Sequence, residues 1–504
     1  MSHTFRGNIT VFTALSLMLT ASFLFALLEA ARIRMLYAYA DRKTELGLES
    51  VCAEYQPGLW KEYGLLCLDG AYGGKEFSAD YVTGTLKVRM DENLSVKDKG
   101  NSDLFAIRLE EIEPKGYELL TDREGIVFLQ RIAAYMEANI AMDTIEGLYN
   151  RYLEGVEVEK SATQEDCVAG AQTALEQAEK EAAEKDGNSP GETDNEPGQP
   201  GTGENSDGAN VSGQENPLDV ALALRQNALL GMVTDTGNIS GLRINLSDSL
   251  LHRKCRTGTY SGEQKSEWYE RVLVLNYLDR YFSDVRKPAD KHVLAYETEY
   301  LLCGEDSDRK NLEGTVIRLM ILREAANILH IISDHAKMNQ AGTIAASLAG
   351  FTGNPAIIKI VQTGIIASWA YIESIQDVRA LLQGDKIALI KSVKEWTTDT
   401  GNLSESFRNT SKARNCEKGL TYQEYLRQFM FSMGKKKLAY RMMDIMERNI
   451  RLTENGANCR MDHMIGRIDY EMTYGAEFLF SEMTTIGKKP EGPFLLRARK
   501  QFSY

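Results

Sequence analysis

The sequence has no C-x-x-C pair, no H-E-x-x-H, no G-x-S-x-G, no Walker A phosphate loop and no G-x-G-x-x-G behind a strand. Those absences leave zinc-ribbon, metalloprotease, hydrolase-elbow, P-loop and dinucleotide-binding chemistry without support. Basic charge is short as well. Fifty-eight Lys and Arg against 72 Asp and Glu leave −14, a balance that repels phosphate backbones, so no nucleic acid is expected as a partner. Seven cysteines, odd in number and scattered from Cys52 to Cys459, and only ten prolines exclude a disulfide-dense scaffold and a collagen-like chain. Buried, unpaired thiols are the expectation, with a Cys52–Cys67 bridge as the alternative for an extracytoplasmic domain. The six histidines do not gather: His330 and His335 are five apart, about 140° from each other on one helix.

The remaining polar candidates read as structure more readily than as chemistry. Glu297 and Glu299 would share one face of an expected strand, Leu294–Cys303, where the solvated side of an edge strand is commoner than a carboxylate pair for acid–base work. Arg323-Glu324, in an apolar helix, points to a buried or interfacial ion pair. Lys435, Lys436 and Lys437 with Arg441, Arg448 and Arg451 make a local basic face, tempered by Asp444 and Glu447. No catalytic residue, cofactor, metal or small-molecule substrate is expected.

Charge is missing altogether from Gly7 to Leu28, 22 residues between Arg6 and Glu29. A helix of that length covers about 33 Å, enough to cross a hydrocarbon core of roughly 30 Å. The expected membrane-facing side chains are Ile9, Val11, Phe12, Leu15, Leu17, Leu19, Phe23, Leu24, Phe25, Leu27 and Leu28, with Arg6, Glu29 and Arg32 marking the boundaries. Threonines and serines soften this run, but their hydroxyls can return to backbone carbonyls of the same helix. A cleaved signal fits less well, because the apolar core is too long and the nearest small-x-small triplet, Ala38-Tyr39-Ala40, lies beyond charged residues. A buried soluble helix is the bland alternative. No second segment competes: Gly353-Asn354-Pro355 interrupts Met338–Ile358, and Ile360–Ile372 is too short to span and reads as buried. Past the membrane, Ile33, Tyr37, Ala40, Thr44, Leu48 and Val51 recur at three- and four-residue steps, so one helix from about Ile9 to about Tyr55 should pack its second half on a soluble domain.

The Arg-Gly start, the apolar helix, Leu28-Glu29-Ala30-Ala31-Arg32 and the Ala-rich stem resemble the amino-terminal segment of TadE/TadG-like proteins, pseudopilin-like components of bacterial Tad (Flp) pilus machinery. Ala53-Glu54-Tyr55 and Tyr63-Gly64-Leu65-Leu66 resemble an uncharacterised bacterial family encoded beside Tad pilus genes. So do Tyr296–Leu302, Leu322–Asn327, Ala349–Pro355, Trp369–Ser374 and Asp377–Leu382. Prepilins cut by the dedicated peptidase resemble Gly followed by Glu five positions later, whereas Phe12 stands five after Gly7 here. That departure from the prepilin pattern fits a membrane-anchored accessory protein better than a main pilus subunit and leaves open whether Gly7 is cut. The resemblance implies membrane lipid and other pilus or secretion-apparatus membrane proteins as partners. It also implies a large domain outside the cytoplasm, although Arg32, Arg34, Arg42 and Lys43 after the run, against Arg6 before it, favour the opposite orientation by the positive-inside rule. An envelope structural or sensor protein and a tethered enzyme of unrecognised type are the alternatives.

The remaining pattern predicts an α+β, helix-dominated fold. Residues 1–57 form the anchor and helical stem, 58–185 a mixed region, 186–217 an acidic linker and 218–504 a helix-rich domain with a carboxy-terminal strand. The linker holds seven glycines, four prolines and no Lys or Arg, too little apolar area to offset its ordering entropy. Strands are expected at Tyr81–Met90, Phe105–Leu109, Leu294–Cys303 and, half-buried, at Ile468–Tyr474. Helices are expected from a capping box at Thr121–Glu124 through Tyr152, over a mostly solvated Gln164–Lys185, and over Leu218–Met232, Glu267–Val285, Leu312–Ser333, Asn339–Phe351 and Asn354–Leu382. A second capping box, Thr421-x-x-Glu424, opens a further helix.

Overall fold

A computed structural model describes residues 5–94, 105, 107–137, 142–160, 167–186, 216–260, 268–400, 416, 418–480 and 492–504. Helix α1 runs Phe5–Cys52 without a break and is followed by α2, Pro57–Tyr63, which closes on left-handed Gly64. The short strand β1 (Leu68–Asp69), helix α3 (Ala79–Leu94) and long strand β2 (Ile107–Leu119) come next. Helices α4 (Asp122–Glu137), α5 (Met142–Lys160), α6 (Cys167–Asp186), α7 (Pro217–Arg225) and α8 (Leu229–Val233) follow. Then come α9 (Glu270–Tyr281), α10 (Glu297–Cys303), α11 (Asp308–Ser333), α12 (His335–Ala349) and α13 (Pro355–Gln383). Helices α14 (Tyr422–Ser432) and α15 (Lys435–Arg451) precede strands β3 (Met464–Ala476) and β4 (Phe494–Ser503). The fold is α+β and helix-dominated. It forms two compact units, each discontinuous: Met1–Ala138, Ser249–Glu270 and Lys435–Tyr504 in the first, Asn139–Asp248 and Arg271–Gly434 in the second.

The first unit is built on an antiparallel sheet centred on β3. Strand β2 pairs along one edge, from Ile107 opposite Ala476 to Leu119 opposite Ile465. Strands β1 and β4 share the other edge in tandem, β1 at Met464 and Ile465, β4 from Arg467 to Ala476. One face of β3, Ile468, Tyr470, Met472, Tyr474 and Ala476, packs with α1 and α3 in a single core. The stem of α1 supplies Leu36, Ala40, Leu48 and Val51 to it, and the buried Thr44 hydroxyl meets the Tyr474 hydroxyl at 2.7 Å. Each fully buried aliphatic there contributes roughly 1.5–3 kcal/mol. The stripe runs through Arg32 and Leu36, so the expected phase is corrected: Tyr37 is exposed and Ile33 only partly covered. Paired on both edges and covered by helices, β3 is mostly buried rather than half-buried.

Two expectations in this unit fail for visible reasons. Tyr81–Met90 lies within α3, where Val82, Leu86 and Met90 fall four apart on the core side; Gly84, which suggested a broken strand, sits on the exposed side. The box at Thr121 does not form. The Asp122 carboxylate instead accepts the amides of Leu119 and Gly258 at 2.7 Å each, and Thr121 Oγ1 donates to the Arg256 carbonyl at 3.3 Å. Arg123, Glu124 and Gly125 then take φ of +52°, +58° and +81°, so regular helix begins only beyond them. A Cβ at Gly125 would lie 2.6 Å from the Ala439 Cβ, which is how closely α4 approaches α15. The expected strand at Phe105–Leu109 is β2, beginning at Ile107 and running on to Leu119. The helix expected through Tyr152 is two, α4 and α5, with 138–141 outside the described residues.

In the second unit α13 is the central helix, in contact with α6, α7, α8, α11 and α12. Asn354 caps its start and left-handed Gly384 ends it. It matches the expected Asn354–Leu382 to within a residue at each end and is apolar enough to span a membrane. Val361 and nearly everything from Gly364 to Leu381 is nevertheless buried in protein, as expected of Ile360–Ile372. Helix α6 is less solvated than expected, burying Ala171, Leu175 and Ala178. Leu218–Met232 is split into α7 and α8, and Glu267–Val285 shortens to α9. Leu294–Cys303 is not a strand: the Asp308 carboxylate takes the amides of Ala295 and Tyr296, and α10 starts at once. The Thr421–Glu424 box forms in full. The expected linker falls almost entirely, at 187–215, outside the described residues.

Candidate functional site: the anchor helix and its collar

From Ile9 to Thr20 every side chain of α1 is exposed, including Phe12 at 71% and Leu17 at 73%. Val11, Leu15, Leu19, Phe23, Leu24, Leu27 and Leu28 are likewise left bare. A row of this size, uncovered by protein, has no stable place in water. Two of its threonines bond within the helix itself. The Thr13 hydroxyl donates to the carbonyls of Ile9 at 2.9 Å and Thr10 at 3.0 Å, and that of Thr20 to Ser16 and Leu17 at 3.0 Å each. This helix is long and apolar enough to cross a membrane. Arg6 lies in its opening turns.

The other boundary residues, Glu29 and Arg32, are brought together and buried, 6% exposed each. The Arg32 Nη1 donates to Glu29 Oε1 at 3.0 Å and to the Glu477 carbonyl at 2.9 Å. The second Glu29 oxygen accepts the amides of Leu479 at 3.3 Å and Phe480 at 2.7 Å. Phe480 stacks on Phe25, ring centroids 6.4 Å apart and nearly parallel. Above it, Phe478 meets Phe494, and Phe494 meets Tyr37 edge-on, each at 5.9 Å. The turn after β3 thus forms a collar on α1 where its charge-free run ends. Sequence reasoning missed the collar; the only local sign is the Phe478-Leu479-Phe480 run behind a strand.

The polar candidates of the second unit hold its backbone in place. Glu297 accepts the amide and hydroxyl of Ser283 at 3.0 Å each and meets His292 Nδ1 at 2.7 Å. Glu299 accepts the Tyr422 hydroxyl at 2.7 Å and the Val285 amide at 2.9 Å. Both carboxylates are fully buried on α10, a helix, so they do not share a face. Burial pushes the Glu299 carboxyl up to about 8, against the pull of its hydrogen bonds from Tyr422 and Val285. Arg323 pairs not with Glu324 but with Asp377, at 2.9 Å, and donates to the carbonyls of Ala388 and Leu389 and to the Tyr425 hydroxyl. Glu324 pairs with Arg225 at 3.1 Å. Lys391 completes the network against Glu373 and Asp377. His330 stacks on Trp396 at 4.8 Å, and burial lowers its pKa; His335 opens the next helix.

Half of the basic residues of α15, in the first unit, are paired locally, while Lys435, Lys436 and Lys437 are exposed. Lys436 pairs with Glu124, Arg448 with Asp444 and Arg451 with Glu447. Cys52 and Cys67 are free, buried thiols rather than a bridge, and burial pushes Cys52 up to about 12. An open cleft of about 840 Å³ beside α3, lined by Tyr72, Lys75 and Tyr81 among others, and one of about 380 Å³ at the start of α11 contain none of Glu297, Glu299 or His292.

A model for a family of unknown function, DUF5702, matches residues 208–476, just over half of the chain. The chain belongs to that family. Tyr296–Leu302, Leu322–Asn327, Ala349–Pro355, Trp369–Ser374 and Asp377–Leu382 all fall inside the match, and α1 falls outside it. No curated protein and no solved structure shows a significant match.

Proposed function

We propose that this DUF5702 protein is a membrane-anchored, extracytoplasmic accessory component of a Tad-type pilus or related secretion apparatus, pseudopilin-like and acting by protein–protein interaction. The observation that carries the reading is α1. Its first half is bare and apolar, and its second half lays a regular stripe on an antiparallel sheet, with one unbroken helix joining the two. A helix built so transmits the position of the folded unit to the bilayer and offers its bare face to lipid or to neighbouring helices. Ala26, Ala30 and Ala31 are exposed on it, and small residues let helix backbones approach closely. The buried acids that an enzymatic reading would draw on are engaged in holding loops.

Protease added to intact cells should cut within residues 186–217, and an affinity-tagged full-length chain extracted in mild detergent should recover pilus-assembly or secretion membrane proteins. Resistance of the linker in intact cells, with cleavage only after lysis, would place the large domain inside and end the extracytoplasmic reading. Gene neighbourhood separates a pilus component from an envelope protein outside any pilus system.

A further inference from the structure

We propose that the turn Glu477–Phe480 is a membrane-boundary element that seats the first unit in the bilayer surface, with Leu479 and Phe480 entering the hydrocarbon edge beside α1. The inference rests on the anchor part of the reading above. Phe25 lies three residues inside the end of the charge-free run, about 5 Å along the axis. Phe480 stacks on it, nearly parallel, with ring centroids 6.4 Å apart, and so lies within that distance of the same depth. Ala21, Ser22 and Phe25 are partly covered, whereas everything from Ile9 to Thr20 is exposed. From Glu29 back to Ala21 is eight residues, about 12 Å of the run.

The turn cannot swing aside without exposing charge. Its two amides and one carbonyl complete the Glu29–Arg32 pair, which would otherwise stand unsatisfied at the edge of hydrocarbon. With those groups satisfied, the turn presents Leu479 outward at 43% exposure, Phe478 and Phe480 are partly covered, and the Glu477 side chain, exposed at its start, is left on the aqueous side. The partner this surface fits is the bilayer, because the same continuous helix that holds the turn also crosses it.

The test uses the full-length chain in phosphatidylcholine vesicles, with Leu479→Trp, and Phe480→Trp as a second variant should the first misfold. The native tryptophans, Trp60, Trp268, Trp369 and Trp396, form a constant background measured on the unsubstituted protein. The added emission should lose at least half its intensity in vesicles brominated at mid-chain and resist iodide present on both sides of the membrane. Val88→Trp, on the exposed side of α3, should show the reverse. If the protein sediments with vesicles but the new tryptophan is quenched by iodide and not by bromine, the seated turn is wrong and the anchor stands. If it does not sediment with vesicles at all, both fall.

Discussion

Helices α1 and α13 are both long and apolar enough to cross a bilayer, yet the most apolar window of α1 is 6% buried and that of α13 is 56% buried. Length does not separate them. The destination of their polar side chains does. In the exposed half of α1, Thr13 and Thr20 close hydrogen bonds on their own helix, so neither hydroxyl asks for a protein neighbour. In α13, Glu373, Ser374 and Asp377 reach Lys391, Asn327 and Arg323 from elsewhere in the unit, bonds that exist only if protein surrounds the helix. An apolar helix whose polar groups are self-contained suits lipid; one whose polar groups point outward to partners is a core helix.

The largest effect expected from this contrast is removal of Gly7–Leu28. The shortened chain should move wholly from the membrane pellet to the soluble fraction, with Trp369 and Trp396 still reporting a cooperative unfolding transition. Retention in the pellet after carbonate washing would break the comparison at its α1 end.

At the α13 end, Arg323→Ala leaves Asp377 beside a single cation and strands the two carbonyls, of Ala388 and Leu389, that the guanidinium satisfies. Breaking a buried pair from one side costs about 3–5 kcal/mol. The urea midpoint of tryptophan fluorescence should fall accordingly, while membrane retention stays unchanged. A cation placed in the other helix should act in reverse. Leu17→Arg, near the middle of the bare run, should cost about 2.5–3.5 kcal/mol in membrane insertion and leave the urea midpoint where it was. It is read as the fraction of chain integrated in an insertion assay.

The α1 end was legible because an uncharged run announces itself, and α11, α12 and α13 because their apolar periods are long. The Thr421 box and the strand near Ile468 were legible too, each being a local pattern with a local cause. What could not be read were pairings between distant residues. Arg32 read as a boundary charge, but Glu29 and the turn at Glu477–Phe480 bury it. The start of the stripe falls on Arg32 and Leu36 rather than Ile33 and Tyr37, while Ala40, Thr44, Leu48 and Val51 are buried as expected. Leu294–Cys303 has a strand's composition, but Asp308 satisfies its first amides and leaves no ladder to form. Tyr81–Met90 is rich in β-branched residues yet is helical, because three buried side chains four apart outweigh that preference.

Glu299 gives the core comparison a pH dependence. Its folded-state pKa, about 8, lies above the ordinary 4.5, so the folded chain keeps a proton that the unfolded chain has released. Stability from this group is therefore full below about pH 4.5 and is lost as pH rises towards about 8. Glu299→Gln, which resembles the protonated acid, should flatten the fall in urea midpoint between those limits; an unchanged slope would assign it to other groups.

The smallest expected effects test the contrast most directly, hydroxyl against hydroxyl. Thr20→Val removes a group bonded only to its own helix, and with no partner left unsatisfied outside α1, the change should fall below about 0.5 kcal/mol in stability and leave membrane retention intact. Ser374→Ala removes a hydroxyl that donates to the Ala370 carbonyl and accepts from Asn327 Nδ2, fully buried in α13. An unsatisfied buried donor costs about 1–3 kcal/mol, so its urea midpoint should drop measurably. Equal costs for the two hydroxyls would mean that the destination of polar groups does not distinguish the helices, and that the exposed run of α1 needs a protein partner as α13 does.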